Sequence, residues 1–436
     1  MKKQKTSDIA VGEYKDTPIG RIPKEWDVKS THETLYMKGR IGWRGLKKSE
    51  FTETGPYLIT GVDFIDNRID WDNCFHITME RYLESPEIQI RENDVLITKD
   101  GTIGKVAFID HLPGPASLNS HLLVLRPASN NIFPKFLFYI LQSEQFIAFI
   151  DSIKTGSTLT GLSQSNFGKY KFPLPPVPIQ HKIAAILSTV DAAIAETDTI
   201  IAKTEQIKKG LMQELFTRGL GHTEFKDTEI GRIPVNWDIV RLGQVTHKLI
   251  VPMRDKPKKF EGDIPWCRIE DFNGKYLSES KSGQFVNETI INEMHLKVFP
   301  AGSVICSCSA NLGICAIAGR DLVTNQTFIG IVPKQEELGN EFLYYLMGNY
   351  ANRLNKLSTG TTISYLPSKE FESFLIIRPP LAEQCNIAAI LSNIDRRLEK
   401  EFQYHTHLEI LKKGLIQDLL TGRNRVKTNN EVIEHA

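Results

Sequence analysis

The sequence predicts an α+β chain of two mixed α/β domains joined by two long coiled-coil-like helices, built as an internal duplication. Three observations lead there. The phrase DTPIGRIPKEWDV at residues 16–28 returns as DTEIGRIPVNWDI at 227–239, identical at nine of 13 positions. PPVPIQHKIAAILSTVD (175–191) returns as PPLAEQCNIAAILSNID (379–395), identical at 10 of 17. KKGLMQELFT (208–217) and KKGLIQDLLT (412–421) share seven of 10 residues at the same offset of 204. A period near 210 is too long for a solenoid and marks a duplicated two-part unit.

The helices follow from the apolar spacing. Ile183, Leu187, Val190, Ile194, Ile201, Ile207, Leu211 and Leu215 advance mostly in steps of three and four. Ile387, Leu391, Ile394, Leu398, Phe402, Leu408, Leu411, Leu415 and Leu419 do the same. Such a stripe is an amphipathic helix that needs a partner, and the other copy is the obvious one. Each spans about 57 Å at ~1.5 Å per residue. The pairs Pro175-Pro176 and Pro379-Pro380 supply an extended lead-in. Gly210 and Gly414 lie inside these helices, where glycine costs ~1 kcal/mol against alanine; a close helix crossing or a local break would account for them.

Between the repeats the sequence diverges. VLITKDGTIGKVAFI (95–109), HLLVLR (121–126), SVICSCSANLGICAIAG (303–319) and QTFIGIV (326–332) are β-rich. FPKFLFYILQSEQFIAFI (133–150) and NEFLYYLMGNYANRL (340–354) each predict one helix. The resulting division is a first domain at 14–172, a conserved helix and spacer at 173–221, a second domain at 225–376, a second conserved helix at 377–423 and a polar tail at 424–436.

Composition narrows the class. Hydrophobic residues make up 41% and charged residues 24% of 436, as in ordinary globular chains. No apolar run approaches the ~18–20 residues of a membrane span. The basic start MKKQKTSDIA has no apolar stretch behind it, so no signal peptide is expected. Six cysteines do not form a disulfide framework in so long a chain, and Cys306, Cys308 and Cys315 lack C-x-x-C spacing. Thiols packed like apolar groups on a strand, in a reducing cytoplasm, are expected, with no metal.

The net charge of +1 does not announce nucleic acid, but its distribution does. KGRIGWRGLKK (38–48) holds five Lys/Arg and no acid; HKLIVPMRDKPKK (247–259) holds five and one acid. Both follow the repeated phrase at matching places. They nominate Lys38, Arg40, Trp43, Arg44, Lys47 and Lys48, then Lys248, Arg254, Lys256, Lys258 and Lys259, for phosphate contact and base reading. A second candidate is Thr155-Gly156-Ser157-Thr158, repeated as Thr359-Gly360-Thr361-Thr362; its hydroxyls and amides suit a phosphate oxygen, and an ordinary turn suits the sequence equally. The third is the turn after the strand at 95, with Lys99 and Thr102, matched by Asn311. It either presents side chains to DNA or serves only as a hairpin turn.

Catalytic signatures are missing from the sequence. It has no P-loop and no G-x-G-x-x-G. LPPV (174–177) and RPPL (378–381) are unlike the Asn/Asp-Pro-Pro-aromatic signature of amino-methyltransferases. His121 and His181 face Gln326 or Thr327 and Cys385 in the second half, so neither is expected to be catalytic.

The GxIPxxW phrases Gly20–Trp26 and Gly231–Trp237, the TG[ST]T segments, and the PPxxxQ…IAAIL helix starts at Pro175 and Pro379 occur twice in order over residues 14–423. In this the chain resembles the specificity (S) subunit of type I restriction-modification systems. The resemblance implies two target-recognition domains that each read half of a split, asymmetric site on double-stranded DNA. It implies antiparallel packing of the two helices, hence a pseudo-two-fold axis and a circular arrangement. It implies two methyltransferase (M) subunits docked on this frame and restriction/translocase (R) subunits joining them. The S subunit has no active site and no cofactor; adenine-N6 methylation belongs to M. The alternative is the specificity component of a type II (IIB- or IIG-like) restriction-methylation enzyme.

The repeated phrase reads as an anchor rather than a DNA reader, with Trp26 a large apolar plug. Trp26→Ala is expected to impair folding or M-subunit assembly, and Arg44→Ala to weaken DNA binding by an intact protein. Paired co-purification and gel-shift assays check this, and the reverse pattern would refute it.

Overall fold

The computed structural model describes residues 13–40, 46–47, 50–156, 161–252, 256–309, 312–357 and 366–426, excepting the side chains of 154–156. The chain divides into two units. One is Met1–Thr197 with Tyr404–Ala436; the other is Asp198–Gln403. Each therefore draws helix from both repeats.

The first long helix is Val177–Leu215 and the second is Leu381–Leu420. Within the first unit, Asp191 of the first bonds Lys412 of the second at 2.8 Å, while Ile183 and Leu187 share one core with Ile416, Leu419 and Leu420. The two segments thus run antiparallel. In the second unit Lys208 bonds Asp395 at 2.6 Å, with Leu215, Phe216, Ile387 and Leu391 in one core. Gly210 and Gly414 lie in unbroken, exposed helix, and a Cβ on either would meet nothing within 4 Å. Neither a crossing nor a break explains them; local packing places no demand on either position.

The first domain centres on a four-stranded antiparallel sheet, in the order Val106–Phe108, Val95–Thr98, Leu122–Pro127, Leu35–Lys38. Its residues alternate between two cores. Val95, Ile97, Val106, Phe108, Leu123 and Leu125 face the helices; Leu96, Ala107, Leu122 and Val124 face a smaller sheet that includes Phe51–Ile59. Burial on both faces is why these strands read as continuous apolar runs. The second domain repeats the scheme with Cys315–Ala318, Val304–Ser307, Phe328–Pro333 and Thr246–Ile250, extended by Tyr276–Leu277. Cys306 and Cys315 are opposite each other on its helix face, and burial raises the Cys306 thiol well above its ordinary range.

The expected single helices at 133–150 and 340–354 are each two. The first splits into Pro134–Ile140 and Glu144–Gly156. Ser143 ends one and starts the next: its Oγ donates to the Ile140 carbonyl and accepts the Phe146 amide. The second splits at Tyr350 into Asn340–Asn349 and Ala351–Leu357.

Three devices join each domain to its helices. Tyr139 donates to Asp191 at 2.6 Å and meets Ser188 Oγ at 3.0 Å; Tyr345 donates to Asp395 at 2.6 Å and meets Ser392 Oγ at 3.2 Å. Burial, then the neighbouring aspartate, pushes both phenols upward, so they remain donors. The motif glutamines are fully buried. Gln180 accepts the Phe133 amide and donates to the Asn131 and Pro175 carbonyls; Gln384 accepts the Gly339 amide and donates to the Glu337 and Pro379 carbonyls.

The third device is the repeated phrase. It opens as a hairpin, Tyr14–Thr17 against Gly20–Pro23 and Phe225–Thr228 against Gly231–Pro234. Trp26 packs on Gly422, just past the second long helix, and Trp237 on Gly219, just past the first. Both glycines have positive φ, 71° and 64°, and no room for a Cβ. Trp237 also donates to Glu383, which accepts from the Leu220 amide and pairs with His222 at 2.8 Å. Ile179 occupies the matching place in the first copy, so that anchor is apolar.

Gln180→Ala strips a partner from one buried and two partly buried backbone groups, at ~1–3 kcal/mol for each that water does not reach. We expect a stability loss of about 3 kcal/mol in chemical denaturation; an unchanged midpoint would overturn this account of the motif.

Candidate nucleic-acid interface

Strand register brings some of the sequence candidates to one end of a sheet. In the first domain Lys38 ends one strand, Thr98 ends another, and Val106 and Leu122 begin theirs, all at the same end of the sheet. That end therefore carries residues 39–40, 99–105 and 119–121. The chain returning from the Thr-Gly-Ser-Thr segment closes onto it: the Leu162 amide donates to the Lys99 carbonyl at 2.7 Å, and Asp100 bridges Gly161. In the second domain Ile250 and Ser307 end strands while Cys315 and Phe328 begin them. The Leu366 amide donates to the Cys308 carbonyl at 3.0 Å, closing the second segment in the same way.

The described candidate side chains differ in their surroundings. Lys38, Lys47 and Thr102 are exposed, and Lys38 lies over the Tyr36 ring. Lys99 is half-buried, 3.6 Å from Asp100. Lys248, Lys258 and Lys259 are exposed, and exposed Lys256 lies over the Phe260 and Trp266 rings. Arg40 departs from expectation. It is 3% exposed, donating from Nε to the Leu118 carbonyl at 2.8 Å and from Nη2 to Ser117 at 3.0 Å. Burial, reinforced by Arg81, draws its pKa down. Its guanidinium ties the strand end to the smaller sheet and has no face left for a phosphate; charge density alone does not separate such an arginine from a solvated one.

Trp43, Arg44, Lys48, Ser157, Thr158, Arg254, Asn311, Thr359, Gly360, Thr361 and Thr362 lie outside the described residues, as does the side chain of Thr155, while Gly156 is described only as the end of its helix. The turn candidate is a tight connection in which Gly104 and Gly313 take φ of 93° and 96° and pack against Ile150 and Ala351.

Sequence reasoning missed Asp100 and His121, which meet at this end with His121 Nδ1 3.3 Å from Asp100 Oδ2. A signal was available: Asn119-Ser-His121 matches Asn325-Gln-Thr327, and both asparagines accept the amide two residues on. Among the described residues no group of three or more His, Cys, Asp or Glu could hold a metal, and no single helix is long and apolar enough to cross a membrane.

Comparison with known proteins agrees with this architecture. The family model described as type I restriction modification DNA specificity domain matches residues 23–206 and again 234–405, one match per repeat. A putative type I restriction enzyme MjaX specificity subunit of Methanocaldococcus jannaschii is 30% identical over 426 residues, covering 95% of this chain and 97% of that protein. The MjaVIII specificity subunit of the same organism is 28% identical, covering 94% and 95%. Among solved structures, the type I S subunit from M. genitalium superposes with a TM-score of 0.57 at 14% identity, covering 91% of this chain and 96% of that one. A chain of a type I R-M system solved for its complex assembly gives 0.58 at 19% identity, covering 92% and 99%. With two family matches laid over two copies of one architecture, the chain belongs to the type I restriction-modification DNA specificity family, whose members are recognition subunits and not catalysts.

Proposed function

We propose that each domain reads one half of a bipartite, asymmetric double-stranded DNA site through the strand-end surface described above. The observation that supports this is that, in both domains, a strand leading into a basic connection ends, a tight turn lies, and the chain following TG[ST]T returns at one end of a sheet whose faces are buried. A rigid sheet end with exposed lysines suits phosphate contact and groove entry. The two ends share a backbone plan but not side chains, which suits unequal half-sites.

The chain would act in the cytoplasm beside two M subunits, which carry the adenine-N6 chemistry, and R subunits, which carry restriction and translocation. The long helices would form the frame on which M docks and would set the spacer between half-sites. Ile207 and Leu411, equivalent and exposed on these helices beside the open Gly210 and Gly414, suit that docking.

Methylation mapping in cells carrying the chain with its M partner tests the reading; a single undivided motif would refute it. One heptad inserted after Ile194 lengthens the helix by about 10 Å, roughly three base pairs at ~3.4 Å. The mapped spacer is expected to change with the half-sites unaltered, and altered half-sites at unchanged spacing would sink the frame assignment.

Lys38 and Arg40 are expected to separate cleanly. Lys38→Ala should leave stability within ~0.5 kcal/mol while lowering DNA affinity and the salt slope by about one phosphate contact. Arg40→Ala should cost about 2–3 kcal/mol of stability by orphaning buried acceptors. Melting curves and salt titrations of binding distinguish the two.

A further inference from the structure

The two strand ends share one backbone framework. Asn119 Oδ1 accepts the His121 amide at 3.0 Å, and Asn325 Oδ1 accepts the Thr327 amide at 3.4 Å. The His121 carbonyl takes the Lys99 amide at 2.8 Å; the Thr327 carbonyl takes the Cys308 amide at 2.9 Å. Lys99 and Cys308 in turn receive Leu162 and Leu366. Backbone atoms therefore hold residues 121 and 327 in equivalent places at each proposed DNA-facing end.

What they present there differs. In the first domain the His121 side chain is 62% exposed, and its Nδ1 sits 3.3 Å from Asp100 Oδ2. Lys99 Nζ is 3.6 Å from the same oxygen. The carboxylate fits because residue 161 is glycine: a Cβ there would come within 2.7 Å of Asp100 Oδ1. In the second domain Thr327 turns its hydroxyl onto Asn325 at 2.7 Å, and Cys308 is buried. The first end thus holds an imidazole braced by a carboxylate and flanked by a lysine, and at the equivalent position the second has a small hydroxyl residue.

We infer that His121, oriented by Asp100, reads a base in the first half-site, an inference that rests on the proposed DNA-recognition role. A ring nitrogen bonded to a carboxylate carries the proton, so in the neutral ring Nε2 is a bare acceptor. A bare acceptor repels phosphate oxygen but accepts from the exocyclic amino group of adenine or cytosine in the major groove. Lys99 supplies the cationic contact that a neighbouring phosphate needs. The bracing also spares the ring rotational freedom it would otherwise lose on binding.

The test uses the full chain assembled with its M partner. His121→Ala, Asp100→Asn and Thr327→Ala are compared with wild type by methylation mapping and by binding to duplexes altered one base pair at a time. His121→Ala should relax one position of one half-site, losing about tenfold discrimination there, with the other half-site and the spacer intact. Asp100→Asn should relax the same position less, and Thr327→Ala should leave that half-site unaltered. Removing the amino group from the base read at that position should weaken wild type and not His121→Ala.

A motif unaltered by His121→Ala, or uniform weakening across both half-sites, overturns the inference. So does failure of both His121→Ala and His121→Gln to assemble with M, which would make the residue structural. A wild-type complex that recognises no bipartite site removes the recognition reading and this inference with it, whereas an intact bipartite motif indifferent to His121 removes only the inference.

Discussion

Each unit depends on an aspartate that answers two elements at once. Asp191 accepts the Tyr139 phenol from the domain and the Lys412 ammonium from the opposing helix; Asp395 accepts Tyr345 and Lys208 in the same way. A half-buried carboxylate is costly unless both oxygens are engaged. Here each oxygen has a donor from a different element, so helix pairing and domain docking are satisfied together or lost together. Removing any one member leaves a partly buried polar group short of a partner.

That constraint explains the placement of everything else. The domain helix bearing the tyrosine lies on one face of the central sheet, and the smaller sheet covers the other. With both faces occupied, the sheet is left with its ends and its two edge strands. The buried glutamines and the Trp–Gly anchors hold the domain along the helix starts and turns. The strand-end connections are left free to vary, and there the two copies diverge. A rigid frame with variable connections is the arrangement a recognition subunit requires, because loop chemistry changes without disturbing the docking contacts.

Much of this was legible because duplication acts as its own control. Several residues identical between copies have structural duties: Asp191 and Asp395, Lys208 and Lys412, Ser188 and Ser392, Gln180 and Gln384, Trp26 and Trp237. The apolar steps of three and four defined both long helices, which run 39 and 40 residues. The same signal misled where geometry is local. One apolar run became two helices because the Ser143 hydroxyl caps a break that periodicity does not register. Gly210 and Gly414 suggested a crossing, yet each opens onto empty space.

By itself the sequence determined the duplication, the helical frame, the anchoring phrase and the family, since these rest on periodicity and identity along the chain. Only the tertiary structure decided which candidates meet. Strand register gathers three segments far apart in sequence at one sheet end. It also turns Arg40 inward to satisfy carbonyl and hydroxyl acceptors, and sets His121 against Asp100. Charge along a chain records how many cations a segment carries; only packing decides whether a given cation spends its donors on the protein or keeps them for a ligand.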